Sequence, residues 1–145
     1  MGENRTCAIF KDFAHSPSKL KATIDAVKKQ FTDRKLLALI ELHTFSSLNK
    51  NFLQEYAGSM DEADEAIVFI DHTTFLQKKL EPYDEEFVKQ AFDNKKVKFF
   101  NNAETLERYL IAINYNSKNL LMMSSGNFGG INLKALSETI LSNFH

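Results

Sequence analysis

Lys11-Asp12-Phe13-Ala14-His15-Ser16-Pro17-Ser18-Lys19-Leu20 joins an apolar segment to a helical pattern, and the rest of the chain repeats this arrangement. The residues before it, from Thr6 to Phe10, are mostly apolar and of strand length. The residues after it place apolar side chains on one helical face, at Leu20, Ile24, Val27 and Phe31. The sequence therefore predicts a strand, a turn and a helix from Ser18 to Phe31.

The turn has the residues of a helix start. Pro17 has no backbone N–H, which suits the first turn of a helix, and Ser16 or Ser18 can cap the free N–H groups there. Asp12 and His15 stand between the strand and the helix, at the edge where open parallel sheets bind ligands. His15 is therefore a candidate acid or base, or else a histidine that bonds backbone groups within the turn.

Apolar runs of strand length alternate with helical patterns along the chain, which is typical of an α/β fold. The nearly continuous run from Lys35 to Leu42 indicates a parallel strand that is covered on both faces. We predict one domain, residues 1–145, a three-layer sandwich with a mostly parallel, Rossmann-like sheet. Further strands are expected at Ala66–Ile70, Val97–Phe100 and Asn119–Met123, and helices from Asn49 or Asn51 to near Gly58, after Asp84, at Ala103–Tyr115 and at Ile131–Phe144.

Polar loops follow four of these strands, at residues 12–17, 43–49, 71–74 and 124–130. Crossovers between parallel strands are right-handed, so these loops should share one edge of the sheet. They contain His15, His43 and His72, and the last loop contains Gly126, Gly129 and Gly130. Its glycines permit close approach by a ligand, although a tight turn from strand to helix would need them as well.

Other chemistry remains open at this edge. His15, His43 and His72 could bind a metal, but no two of them have the short spacing of metal ligands, and we predict no metal site. Ser125 could be a nucleophile acting with His15, although its surroundings differ from the Gly-x-Ser-x-Gly elbow. No glycine is followed by lysine, so the chain has no P-loop.

Composition limits the classes of function. The net charge is −1, from 18 basic and 19 acidic residues, so we expect no nucleic-acid partner and no attraction to anionic membranes. No apolar run approaches the roughly 20 residues that a membrane helix needs, and no signal peptide is evident. Cys7 is the one cysteine, and we expect a buried thiol. A cytoplasmic location is the resulting expectation.

Several motifs resemble those of Mur ligases, the ATP-dependent amide-forming enzymes of peptidoglycan assembly. Residues 12–17 resemble the turn that opens the family's C-terminal domain, namely Asp, Tyr or Phe, Ala or Gly, His, any residue, and Pro. Residues 42–48 are similar to a loop of the UDP-N-acetylmuramate–alanine ligase branch. That loop has Pro where this chain has Leu42 and Arg where it has Ser47, so no cationic contact is assumed at Ser47.

The Gly-rich loop carries the most specific likeness. Met123-Ser124-Ser125-Gly126-Asn127-Phe128-Gly129-Gly130-Ile131 resembles the segment Met-Ser-Asn-Gly-x-Phe-Gly-Gly-Ile of the murein-peptide ligase branch. That branch joins recycled L-Ala-γ-D-Glu-meso-diaminopimelate to UDP-N-acetylmuramate. The resemblance implies that the chain is the C-terminal domain of a three-domain ligase, without the N-terminal UDP-binding domain and the central ATPase domain, and that it is inactive alone.

The resemblance also implies roles for the loop residues. ATP and Mg²⁺ would be bound mainly by the absent central domain. This domain would bind the murein peptide and close over the acyl phosphate formed there. Asp12 would contact the ATP ribose, and His15 would act near the nucleotide or the incoming amine. The peptide would contact His43, His72, Ser124, Ser125, Asn127 and Phe128. The alternative is a stand-alone α/β module that binds a nucleotide or small anion without catalysis.

Overall fold

The computed structural model of the chain describes residues 2–4, 6–43, 49–79 and 83–143. Its strands form one six-stranded sheet in the order β1-β2-β6-β3-β4-β5. β1 pairs antiparallel with β2, and every other pairing is parallel. The strands are β1 (Gly2–Glu3), β2 (Ala8–Asp12), β3 (Lys35–Glu41), β4 (Glu65–Phe69), β5 (Lys98–Phe100) and β6 (Lys118–Met123).

Helices follow the parallel strands and cover both faces of the sheet. They are α1 (Pro17–Gln30), α2 (Lys50–Leu53), α3 (His72–Gln77), α4 (Glu85–Phe92), α5 (Ala103–Ala112) and α6 (Leu133–Asn143). Short 3₁₀ turns follow α2 at Gln54–Tyr56 and precede α6 at Phe128–Gly130. The predicted three-layer α/β sandwich with a mostly parallel sheet is confirmed.

The two sides of the sheet hold separate apolar clusters, because successive strand residues face opposite ways. Leu36, Ala38 and Ile40 of β3 pack in one cluster, with α1 and α4. Leu37 and Leu39 pack in the other, with α5 and α6. The alternation explains why β3 reads as a continuous apolar run, and both layers are needed to bury it.

The first helix, predicted from Ser18 to Phe31, begins and ends one residue earlier, and Pro17 is its first residue. Ser16 holds the N-cap position, but its side chain makes no capping hydrogen bond. The first parallel strand lies two residues later than predicted. Asn4 Oδ1 accepts hydrogen bonds of 2.9 Å from the N–H groups of both Thr6 and Cys7, which makes that segment a turn between β1 and β2.

Three further element predictions were wrong in detail. Residues 71–74 were predicted as loop, but His72 begins α3, which Asp71 caps by accepting a hydrogen bond from Thr73 N. The predicted helix 103–115 ends at Ala112, and buried Tyr115 donates a 2.7 Å hydrogen bond to the Leu110 carbonyl. The last helix begins at Leu133 rather than Ile131, because Asn132 Oδ1 accepts from Ala135 N at 3.0 Å.

Candidate functional site

The carboxyl ends of four strands meet at one level of the sheet. In the ladder Asp12 lies beside Met123, and Met123 lies beside Ile40. Glu41 lies beside Phe69 on the neighbouring strand. The loops after β2, β3, β4 and β6 therefore leave a single edge, as the sequence predicts. Residues 44–48 of the second loop lie outside the described residues.

A buried carboxylate organises the centre of this edge. Glu41 ends β3 and is 3% exposed. Its Oε1 accepts a hydrogen bond of 2.6 Å from Ser124 Oγ and one of 2.9 Å from Phe128 N. Ser124 Oγ in turn accepts from Gly126 N at 2.7 Å. These bonds hold the Gly-rich turn, residues 124–130, against the end of β3.

Two glycines of this turn lie against other loops. A Cβ on Gly126 would stand 2.4 Å from His43 Cδ2 and 3.0 Å from Glu41 Oε1. Gly129 has φ +64°, and a Cβ there would stand 2.9 Å from Asp71 Oδ2. Only a residue without a side chain allows both approaches together with this backbone.

His43 and Ser125 form the outer part of the arrangement, where Ser125 is exposed and His43 is half-buried. Ser125 Oγ lies 2.9 Å from His43 Nε2, within hydrogen-bond distance. Asn127 is also exposed, in the same turn. The serine, the histidine and the amide can therefore contact a ligand directly, with both donor and acceptor groups.

A cleft of about 620 Å³ opens beside the Gly-rich turn. Its wall includes Glu41 and His43 from the end of β3, and Asp71 and Lys78 from the two ends of α3. Thr73, Thr74, Gln77 and four residues of the turn complete the lining: Gly126, Asn127, Gly129 and Gly130. The volume falls within the roughly 300–1,000 Å³ typical of ligand pockets.

Asp12 and His15 lie on the other side of β6 and do not line this cleft. Asp12 is exposed, and its Oδ1 accepts a 2.7 Å hydrogen bond from Ala14 N. His15 Nδ1 lies 2.8 Å from the Phe13 carbonyl oxygen. Tyr56 donates a hydrogen bond to the His15 carbonyl, and burial raises the pKa of Tyr56 to about 12.

The predicted peptide contacts separate into two groups. His43, Ser125 and Asn127 are at least partly exposed, and they lie together beside the cleft. Ser124 and Phe128 are completely buried, where Ser124 bonds Glu41 and Phe128 packs in the core. His72 is exposed at the start of α3, with Nδ1 3.1 Å from the Asn101 carbonyl oxygen, and is not among the cleft residues.

Sequence reasoning missed Glu41 and Lys78. The signal for Glu41 was present, because an acidic residue in an otherwise apolar strand has to be satisfied by nearby donors. Lys78 follows a helix that the sequence did not predict. In the described ranges no three His, Cys, Asp or Glu side chains are grouped to hold a metal ion. No helix in the same ranges is long and apolar enough to span a membrane.

Comparison with known families adds an independent observation. The model of the family described as "Mur ligase, glutamate ligase domain" matches residues 1–126. The chain belongs to this Mur ligase family. Members of the family are ATP-dependent ligases of peptidoglycan synthesis, and the match covers β1 to β6 and reaches the start of the Gly-rich turn.

Curated relatives within the Mur ligases match shorter segments. The UDP-N-acetylmuramate–L-alanine ligase of Desulfitobacterium hafniense (strain Y51) is 35% identical over 68 residues, which are 47% of this chain and 15% of that protein. The enzyme of the same name from Limosilactobacillus reuteri (strain DSM 20016) is 40% identical over 60 residues, 41% of this chain and 14% of that protein. The matches thus span a small part of each relative.

Solved structures show the same fold. A murein peptide ligase from Psychrobacter arcticus 273-4 superposes with a TM-score of 0.72 at 21% identity, covering 97% of this chain and 29% of that one. A UDP-N-acetylmuramate–alanine ligase from Thermotoga maritima superposes with a TM-score of 0.66 at 15% identity, covering 99% and 28%. At these identities the likeness establishes the fold of a Mur ligase domain, and the site must be argued from the residues of this chain.

Proposed function

We propose that the chain is the C-terminal domain of an ATP-dependent ligase that joins L-Ala-γ-D-Glu-meso-diaminopimelate to UDP-N-acetylmuramate in peptidoglycan recycling. The observation that carries this proposal is the cleft beside the Gly-rich turn, which combines the carboxylates of Glu41 and Asp71 with the ammonium group of Lys78. A peptide with free amines and several carboxylates needs a site with both signs of charge.

The family and its named members support the other substrates. Mur ligases use ATP, and the two curated relatives are named as ligases of UDP-N-acetylmuramate. The complete enzyme would add an N-terminal UDP-binding domain and a central ATPase domain, which are the partners we expect for this domain. Since the reaction consumes ATP, we expect it in the cytoplasm.

Bound ATP and Mg²⁺ would supply the phosphorylation of the muramyl carboxylate. The exposed carboxylate of Asp12 would accept a hydrogen bond from the ribose, because Ala14 N holds only its Oδ1. His15 would lie near the nucleotide or the amine when the domain closes. Mg²⁺ would be bound mainly by the central domain. Closure would bring the amine to the activated carboxylate and exclude water.

On the peptide side, His43, Ser125 and Asn127 would contact the substrate from the edge of the cleft, and His72 from the start of α3. Ser124 and Phe128 would act indirectly, by fixing the turn that forms one wall of the cleft. This assignment follows because both side chains are completely buried and neither lines the cleft.

L-Alanine is a second candidate acceptor, because both curated relatives are named for it. The cleft of about 620 Å³ favours the tripeptide, since a single alanine would leave most of that volume to water. The tripeptide and L-alanine differ in size, so comparing turnover of the complete ligase with each of them distinguishes the two candidates.

The test measures phosphate release by the complete ligase and by the 145-residue chain alone. We expect the ligase to require ATP, UDP-N-acetylmuramate and the tripeptide together, and the chain alone to release no phosphate. Equal turnover with L-alanine would favour the second acceptor. Robust turnover by the isolated chain, or nucleotide binding with no ligation by the complete enzyme, would overturn the proposal.

A further inference from the structure

Glu41 is a carboxylate in surroundings that give it little compensation. It is 3% exposed and ends a strand whose preceding residues, Leu36 to Ile40, are buried and apolar. A carboxylate removed from water needs hydrogen bonds or an opposite charge to offset its lost hydration. The contacts of its two oxygen atoms therefore indicate which kind of ligand the site can bind.

The two oxygens have different environments. Oε1 accepts both hydrogen bonds, from Ser124 Oγ at 2.6 Å and Phe128 N at 2.9 Å, and both donors are neutral. Within the described part of the chain, no Lys, Arg or His forms an ion pair with Glu41, and no donor bonds Oε2. Glu41 lines the cleft, so Oε2 is the oxygen left to face a ligand.

Two further charged residues, Asp71 and Lys78, line the cleft. Asp71 Oδ1 accepts from Thr73 N at 3.1 Å, and Asp71 Oδ2 lies against Gly129 of the turn. Two carboxylates, those of Glu41 and Asp71, therefore lie against the Gly-rich turn and make this side of the cleft negative. Lys78, at the end of α3, provides a positive charge to the same cleft. Opposite charges in one cleft fit a zwitterion better than a simple anion or cation.

We propose that Glu41 is the ammonium-binding residue of this cleft, with a primary ammonium group of the ligand on Oε2 and a carboxylate of the same ligand on Lys78. The inference rests on the proposed function for the identity of the occupant, a peptide with free amines. The chemistry itself specifies a zwitterionic amino acid or peptide. An ammonium group supplies the charge that the neutral donors on Oε1 do not.

The substitution Glu41→Gln separates charge from structure. Glutamine retains an oxygen that accepts from Ser124 and Phe128, but it has no negative charge for an ammonium group. Glu86→Gln is the matched control, because Glu86 is exposed on α4 and is not among the cleft residues. Backbone NMR shifts of Gly126 and Phe128 verify that the turn keeps its position in both variants.

The experiment is calorimetric titration of the chain with the free tripeptide and with the same peptide acetylated on both amines. We expect Glu41→Gln to weaken binding of the free peptide by about tenfold or more, with Glu86→Gln unchanged. The acetylated peptide should bind weakly and equally to all three proteins. Equal binding of free and acetylated peptide by the unsubstituted chain overturns the inference without any variant, as does Glu41→Gln affinity within twofold.

Two smaller probes, meso-diaminopimelate and L-alanine, distinguish this inference from the proposed function. If either one binds and loses affinity in Glu41→Gln while the tripeptide does not bind, ammonium recognition stands and the tripeptide acceptor is wrong. If no free amine binds the unsubstituted chain, ammonium recognition is wrong. The phosphate-release assay on the complete ligase then decides the proposed function separately.

Discussion

Ser124 Oγ donates a 2.6 Å hydrogen bond to Glu41 Oε1, and this bond joins residues 83 positions apart in the chain. The same hydroxyl oxygen accepts from Gly126 N at 2.7 Å. One buried side chain therefore connects the end of β3 to the Gly-rich turn after β6. The position of the turn, and with it one wall of the cleft, depends on this contact.

Removing the Ser124 hydroxyl should destabilise the fold. Ser124→Ala leaves Glu41 with a single donor and Gly126 N without its acceptor, so we expect a loss of about 2 kcal/mol in the free energy of unfolding. Urea denaturation followed by circular dichroism measures it. Ser125→Ala is the control, since Ser125 is exposed, and should change stability by no more than about 0.5 kcal/mol. Equal losses in the two variants would contradict the role of Ser124.

A methyl group at Gly126 should displace His43. In Gly126→Ala the new Cβ would stand 2.4 Å from His43 Cδ2, so the ring must move and the contact between His43 and Ser125 should be lost. NMR shifts of the His43 ring report the change. Gly130→Ala is the control, because it has φ +88° and no atom within 4 Å of the added Cβ. It should cost about 1 kcal/mol of stability and leave the His43 shifts unaltered.

The Cys7 thiol should be inert in the folded protein. It is completely buried, and burial raises the pKa of the thiol to about 11, although the charge of Arg34 acts in the opposite direction. We expect no reaction with a thiol reagent at pH 8 in buffer and full reaction in denaturing urea. A labelling rate in buffer close to that in urea would show that the turn before β2 is open.

Asp64 should make stability depend on pH in the acid range. Burial alone would raise the pKa of Asp64, but hydrogen bonds from Lys28 and from Leu36 N, together with the positive charges of Lys28 and Lys35, outweigh it and lower the pKa. The carboxylate therefore stabilises the fold above its unfolded-state pKa of about 3.9, and this contribution is lost as pH falls through the lower folded value.

Asp64→Asn tests that dependence by denaturation at several pH values. The variant should be less stable than the unsubstituted chain at pH 7, and the difference should shrink below about pH 4. Glu86→Gln, on an exposed helix face, serves as the control and should show no such trend. A difference that stays constant from pH 7 to pH 3 would mean that packing, and not charge, is the contribution of Asp64.

The sequence predicted the parallel strands well, because a strand that is buried on both faces has a nearly continuous apolar sequence. The run from Lys35 to Leu42 required two covering layers, and the first turn required a helix at Pro17. Parallel strands then bring the loops to one edge whatever the strand order. The order itself, with β6 between β2 and β3, depends on long-range pairing that no local pattern records.

The candidate site was less predictable. His43, Ser125 and Asn127 could be selected as polar residues in loops, but the contact between Glu41 and Ser124 joins distant segments and appears only after folding. α3 was missed because Thr73 and Thr74 are weak helix formers, and its stability comes from the Asp71 cap and from burial of Phe75. Lys78 lines the cleft because it lies at the C-terminal end of that helix.

The most direct measurement is NMR titration of the ¹⁵N-labelled chain with L-Ala-γ-D-Glu-meso-diaminopimelate. The proposed site predicts shift changes in the backbone amides of Thr73, Gly126, Asn127 and Gly129, all of which line the cleft. The opposite edge of the sheet, around Asp64 and Lys98, should remain unchanged. Shifts confined to that opposite edge, or no shifts at saturating peptide, would contradict peptide binding at the carboxyl edge of the sheet.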